Sequence, residues 1–169
     1  LVGLLDTNKL AEAYQGVPQV YVRKGVVTTN KTAVCVLIDE SGSMWGRDKI
    51  TVAQEAAILI NEALGNLPGV DLYIYGHTAD IKSSNETVVR IYKEGNKTPK
   101  TDKYLLGNIS SNYLCQNRDG NAIREVTGRV RNFTKSKCFL FILSDGEPVA
   151  CGYGGQKARE DVKEAVINA

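Results

Sequence analysis

A three-layer α/β fold around a mainly parallel sheet is predicted by three features of the chain. The runs at 33–38 (Ala-Val-Cys-Val-Leu-Ile) and 138–143 (Cys-Phe-Leu-Phe-Ile-Leu) are continuously apolar, as strands covered on both faces are. Segments of helical period lie between them, and strand-helix-strand alternation implies parallel pairing through right-handed crossovers. The first run ends abruptly in Asp39, Ser41 and Ser43, and the carboxyl end of a strand is where open α/β sheets hold ligands.

Taken in chain order, Asp6 or Thr7 can cap a short helix to about Tyr14, after which Gly16 and Pro18 break the chain and 20–22 can extend. A polar connector, 28–32, leads into the strand 33–38. A helix is expected over 48–64, because Ile50, Ala53, Ala57, Ile60 and Leu64, with Ala56 beside them, recur at threes and fours as one apolar stripe. Gly65 and Pro68 stop it. The stretch 70–75 alternates Val, Leu and Ile with Asp and Tyr, the pattern of a strand whose faces differ. A further strand is expected over 87–92 and a charged loop over 95–103. From Asp119, the residues Ala122, Ile123, Val126, Val130 and Phe133 fit a helix, which Gly128 weakens by about 1 kcal/mol relative to Ala. After the strand 138–143, an amphipathic helix over 156–169 presents Ala158, Val162, Ala165 and Val166.

A chain of 169 residues is most simply one domain, able to remove roughly 70% of its extended surface from water. Residues 1–32 form a lead-in and 33–169 the domain. With 43% apolar and 24% charged residues the composition is that of an ordinary globular protein. A net charge of +2 leaves no electrostatic footprint for nucleic acid. No apolar run reaches the roughly 20 residues of a membrane helix, and no signal peptide is visible. Neither nucleic acid nor membrane is therefore an expected partner, and a cytoplasmic location is expected. The first residue, Leu1, points to a part lying upstream.

Cys35, Cys115, Cys138 and Cys151 contain no Cys-x-x-Cys pair, so neither a zinc site nor a redox motif is signalled. Cys35 and Cys138 fall in apolar strands and are expected to be small buried hydrophobes; reduced thiols are the default. Sequons at Asn30, Asn85, Asn96, Asn108 and Asn132 would permit glycosylation in a secreted protein. In a chain rich in Asn and Thr they also arise by chance.

Asp39, Ser41 and Ser43 place three oxygen side chains at alternate positions, which suits a hard cation such as Mg²⁺. Gly42 lets the turn bend. A helix N-cap needs one such residue, whereas this loop supplies three, and Asp119 and Asp145 follow in matching contexts. Three carboxylates brought to one point would repel each other unless a cation joined them.

Asp39-Glu40-Ser41-Gly42-Ser43-Met44 resembles the Asp-x-Ser-x-Ser core of the metal-ion-dependent adhesion site in von Willebrand factor type A (vWA) domains. Ser144-Asp145-Gly146-Glu147-Pro148 resembles the fourth loop of that site and nominates Asp145. Asp119-Gly120-Asn121-Ala122-Ile123 resembles the third loop, with Asp119 where adhesion-type members carry Thr. That difference, and a lead-in of Leu5-Asp6 through Leu10, Gly16 and Val20-Tyr21, is similar to the type A domains of cobaltochelatase-like bacterial or phage proteins.

The resemblance covers essentially the whole chain. It implies a three-layer, Rossmann-like vWA fold with a mostly parallel central sheet and 87–92 as the antiparallel edge strand. It further implies at least one more parallel strand and a closing helix beyond those visible, so C-terminal elements are expected to be missing or supplied by a partner. The ligand set it implies is Asp39, Ser41, Ser43, Asp119 and Asp145, holding Mg²⁺, with Mn²⁺ or Ca²⁺ as substitutes. Asp39 and Asp145 bind directly or through water.

By the same resemblance the open coordination position accepts an acidic side chain from another protein. Trp45, His77 and Glu147 are candidate contacts for that partner. The expected function is a non-catalytic, metal-assisted docking module working with a AAA+ ATPase in a chelatase-like or remodelling complex. The chain has no Gly-x-x-x-x-Gly-Lys-Ser/Thr loop, so ATP hydrolysis would come from the partner. One alternative is a Mg²⁺-dependent phosphohydrolase, though an Asp-x-Asp pair is missing from the first loop. Another is an extracellular adhesion domain, which predicts an upstream signal sequence.

Overall fold

A computed structural model describes residues 4–5, 14–16, 21–22, 31–79, 86–95, 102–110 and 116–169. The helix expected over 6–14 falls almost wholly outside these residues, as does Cys115. Two short strands, β1 (Leu4–Leu5) and β2 (Tyr21–Val22), pair antiparallel.

Among the described residues the main sheet has four strands, β3 (Thr32–Asp39), β4 (Val70–Ala79), β5 (Thr87–Glu94) and β6 (Lys137–Leu143), in the order β5-β4-β3-β6. β3 lies parallel to both β4 and β6, and β5 runs antiparallel to β4, as expected. The helices are α1 (Lys49–Leu64), α2 (Asp102–Leu106), α3 (Asp119–Phe133) and α4 (Gly155–Ile167). A 3-10 segment, Gly42–Asp48, joins β3 to α1. α2 overlaps the charged loop expected over 95–103 only at its first two residues, and the rest of it falls in no predicted element.

Alternation along the strands divides the core into two layers, because successive side chains leave a strand on opposite faces. Val34, Val36 and Ile38 join Leu72, Ile74, Ala53 and Ala57 on the α1 side. Ala33, Cys35 and Leu37 join Tyr73, Tyr75, Ala122, Ile123 and Val126 on the α3 side. The apolar stripe of α1 holds, with Ala53 and Ala57 buried and Ile50, Ile60 and Leu64 packed against the core.

The faces of β4 differ as expected, with Leu72 and Ile74 on the α1 side and Tyr73 and Tyr75 on the α3 side, and from Leu72 to Ala79 both faces are buried. Expectations about burial fail at the other inner-looking run. β6, expected to be buried, is largely exposed, with Phe139 at 47% and Phe141 at 53%. Cys138, expected inside, is exposed as well, while Cys35 is buried. The physical reason is position. β6 pairs only with β3, and α4 packs on α3, so little lies over the β6 faces among the described residues. Cys138, Leu140, Val166 and Ala169 border an apolar groove there.

Candidate metal centre

Two buried carboxylates stand side by side at the carboxyl end of β3. Pleating sends Asp39 to the α3 side and Glu40 to the α1 side. Asp39 Oδ1 accepts the Ser41 backbone N–H at 2.8 Å, and Oδ2 accepts Asn117 Nδ2 and Ser144 Oγ, each at 3.0 Å. The donors come from three loops, so this carboxylate fixes the loops to one another. All three are neutral.

The oxygens of the rim form a chain. Ser41 Oγ lies 3.0 Å from Ser43 Oγ, and Ser43 Oγ donates to Asp145 Oδ1 at 2.7 Å. Octahedral Mg²⁺ with ligands at about 2.0 to 2.1 Å requires neighbouring ligand oxygens about 2.9 Å apart. Both spacings are close to an octahedral edge, and both are also ordinary lengths for hydroxyl hydrogen bonds. Asp39, with both oxygens engaged by its donors, fits best as the group that orients Ser41, Ser43 and Asp145.

Asp145 Oδ2 faces the ammonium of Lys49, which also donates to the Ser43 carbonyl at 3.4 Å. Burial alone would raise the Asp145 carboxyl, but the Lys49 and Ser43 donors outweigh it and hold the group below the usual carboxylate range. Asp145 is ionised at neutral pH.

Beneath the rim lie Asp119 and His77. His77 stands in register with Asp39 across the β3–β4 pair, and its Nε2 is 3.5 Å from Asp119 Oδ1. Neither His77 nitrogen nor Asp119 Oδ1 has a hydrogen-bond partner among the described residues. An ion pair here would raise the imidazole and lower the carboxyl, and the reverse holds. Burial pushes His77 down despite the opposing field of Asp39, and burial followed by repulsion from Asp39 raises Asp119 to about 7. At neutral pH the imidazole is therefore uncharged and the Asp119 carboxyl about half ionised. Gly120 follows Asp119 because a Cβ there would sit 1.9 Å from Asp161 Oδ2 of α4.

Two expectations change. Asp39, Asp119 and Asp145 do not meet at one point; no three His, Cys, Asp or Glu side chains converge as a metal cluster among the described residues. Asp145 shares the rim with the serines, while Asp119 joins Asp39 and His77 below. His77 is fully buried, so it offers a partner no surface. Trp45 is 66% exposed, and Glu147 is exposed in an ion pair with Arg159. Beside the rim opens a cleft of about 470 Å³ lined by Ser41, Ser43, Gln116, Asn117, Glu147 and Val149, among others.

Residues not singled out from sequence complete the site. Asn117 donates to Asp39 and accepts the Val149 N–H at 2.7 Å, so it ties the cleft wall to the strand end. Ser144 and Lys49 act as described. Glu40, 1% exposed, accepts from Arg90 at 2.9 Å and from the Tyr92 hydroxyl.

Comparison with known proteins bears on the family and the fold. Residues 20–98 match the family described as the VWA domain of the cobalamin biosynthesis protein CobT. Over 174 aligned positions the chain is 30% identical to the uncharacterized protein YojO of Bacillus subtilis (strain 168), covering 99% of this chain and 26% of YojO. The chain thus spans about a quarter of the length of that relative. Among solved structures, the vWF domain of the type V pili tip protein Mfa5 from Porphyromonas gingivalis superposes with a TM-score of 0.51 at 12% identity, over 70% of this chain and 38% of that one. The pilus adhesin SpaC from Lactobacillus rhamnosus GG gives 0.55 at 16%, over 70% and 15%. Proximal thread matrix protein 1 from the mussel byssus gives 0.57 at 12%, over 82% and 35%. At these identities the likeness is one of fold.

Proposed function

We propose that this chain, a von Willebrand factor type A domain of the CobT type, is a divalent-cation-dependent docking module. The supporting observation is the oxygen chain Ser41–Ser43–Asp145, whose spacings of 3.0 and 2.7 Å are close to those of adjacent ligands on an octahedral ion.

In this reading Ser41, Ser43 and Asp145 hold Mg²⁺, and Asp39 keeps the serine loop and the fourth loop in place through its three donors. When bound, the ion supplies a Lewis-acidic position open to a carboxylate of another protein. Asp119 lies beneath the rim and, with its carboxyl raised to about 7 by burial and by Asp39, carries only part of a negative charge near pH 7. Around the rim, the exposed Trp45 and Val149 and the neighbouring cleft give a partner apolar surface to bury. The partner proposed is a AAA+ ATPase or an acidic client, with this chain non-catalytic in the complex. No helix among the described residues is long and apolar enough to cross a membrane.

The test has two stages. Titration calorimetry should register one Mg²⁺ or Mn²⁺ per chain, abolished in Ser41→Ala/Ser43→Ala. An ATPase captured with the chain should then be released by EDTA and lost with Asp39→Ala. A folded chain that takes up no ion ends the metal reading; capture indifferent to EDTA ends the docking reading.

A further inference from the structure

Lys49 is an unexpected residue at the start of α1. A cation there faces the positive end of the helix dipole; the first turn contains no acidic residue, and the N-cap, Asp48, makes no side-chain cap hydrogen bond. The two residues before it, Arg47 (φ 56°) and Asp48 (φ 55°), are both left-handed without being glycine, a conformation non-glycine residues adopt uncommonly. Consecutive residues of this kind reverse the chain sharply between the serine loop and α1. Neither the backbone nor the dipole favours the placement, so another interaction must hold it.

That interaction is with two ligand loops at once. The Lys49 ammonium bonds to Asp145 Oδ2 from the fourth loop and to the Ser43 carbonyl from the first, 3.4 Å away. Asp145 Oδ1 is left to Ser43 Oγ. An ammonium standing in for the ion would sit on Oδ1 and the serine hydroxyls. Lys49 instead uses the opposite carboxylate oxygen and a main-chain carbonyl, both outside the oxygen chain.

Resting on the cation-site reading above, we propose that Lys49 is a positioning residue, which clips the serine loop to the fourth loop and turns Asp145 Oδ1 toward the serines. Groups that orient a ligating carboxylate typically change metal affinity by about 10- to 100-fold.

The test compares Mn²⁺ binding by calorimetry in the unaltered chain, Lys49→Met and Lys49→Arg. Lys49→Met should weaken binding by about 10- to 100-fold, and Lys49→Arg, which keeps charge and donors, should recover most of the loss. In an Asp145→Asn background, Lys49→Met should have little further effect. Hydrogen exchange on the ion-free protein adds an arm independent of metal: the Asp145 and Gly146 amides should exchange faster in Lys49→Met while those of β3 and β4 stay protected.

Unchanged or tighter Mn²⁺ binding in Lys49→Met overturns the role; tighter binding would make the ammonium a competitor of the ion. Multiplicative losses in the double variant overturn it too, since Lys49 would then act other than through Asp145. Failure of the unaltered chain to bind Mn²⁺ overturns the cation reading itself, and is thereby distinguished from failure of Lys49 alone.

Discussion

Asp39 and Glu40 are neighbours at the end of one strand, both buried, yet the fold treats them differently. Glu40 receives a cation from the protein, the Arg90 guanidinium at 2.9 Å, with the Tyr92 hydroxyl beside it. Even so, burial outweighs these donors and leaves its carboxyl raised. Asp39 receives only neutral donors, and its neighbours below are another acid and a neutral imidazole. A carboxylate supplied with its counter-charge is a structural group. One held by neutral donors alone, beside the hydrogen-bonded oxygens of Ser41, Ser43 and Asp145, is what the proposed cation site requires.

The sharpest way to break this contrast is Glu40→Ala, which removes the carboxylate around which Arg90 and Tyr92 are arranged. Disrupting a buried charge pair should lower the unfolding free energy by about 3 kcal/mol in urea titration, while Mn²⁺ uptake is retained. Loss of uptake in a folded Glu40→Ala would make Glu40 part of the site.

Asp39→Asn should do the opposite. With an amide facing the Ser41 N–H, the ion-free protein should lose about 1 kcal/mol, but Mn²⁺ affinity should fall by about 100-fold, read by calorimetry. Equal affinity in Asp39→Asn would show that the site does not need this charge.

Gly76→Ala sharpens the Glu40 side. A Cβ at Gly76 would stand 2.6 Å from the Glu40 carboxyl carbon, in a layer with no room to give. Overpacking of this kind should cost about 2 kcal/mol, visible as a lower urea midpoint.

Asp161 offers a partnered carboxylate nearer the surface. Its hydrogen bond from Arg124, helped by the Tyr153 hydroxyl at 2.6 Å, holds its carboxyl below the usual range despite partial burial. A depressed folded value means that the stabilisation is present above the ordinary carboxylate range, near pH 4, and is lost as pH falls through the lower folded value. Asp161→Asn should therefore destabilise by only about 0.5 kcal/mol at pH 7, and the difference should vanish in strong acid. Thermal melts at the two pH values check it.

Much of the fold was legible along the chain. The continuous apolar run of β3, the threefold and fourfold spacing of α1, and the break into Asp39, Ser41 and Ser43 are local patterns, and local patterns survive in a linear reading. The burial of β6 was not legible, because an apolar run looks the same whether helices cover it or not. Asn117 and Ser144 were missed for a related reason: they reach Asp39 across 78 and 105 positions. Lys49 lies near Ser43 in sequence, but its contact with Asp145 spans 96 positions.

By itself the sequence determined the order of the long strands and helices, the parallel sense of the sheet and the serine pair at the end of β3. Each follows from periodicity or from adjacency in the chain. The tertiary structure alone decided which of two adjacent carboxylates met a cation, which acid joined the rim and which lay beneath it. The pleat sends successive residues to opposite faces, and what waits on each face arrives from segments far away in the chain.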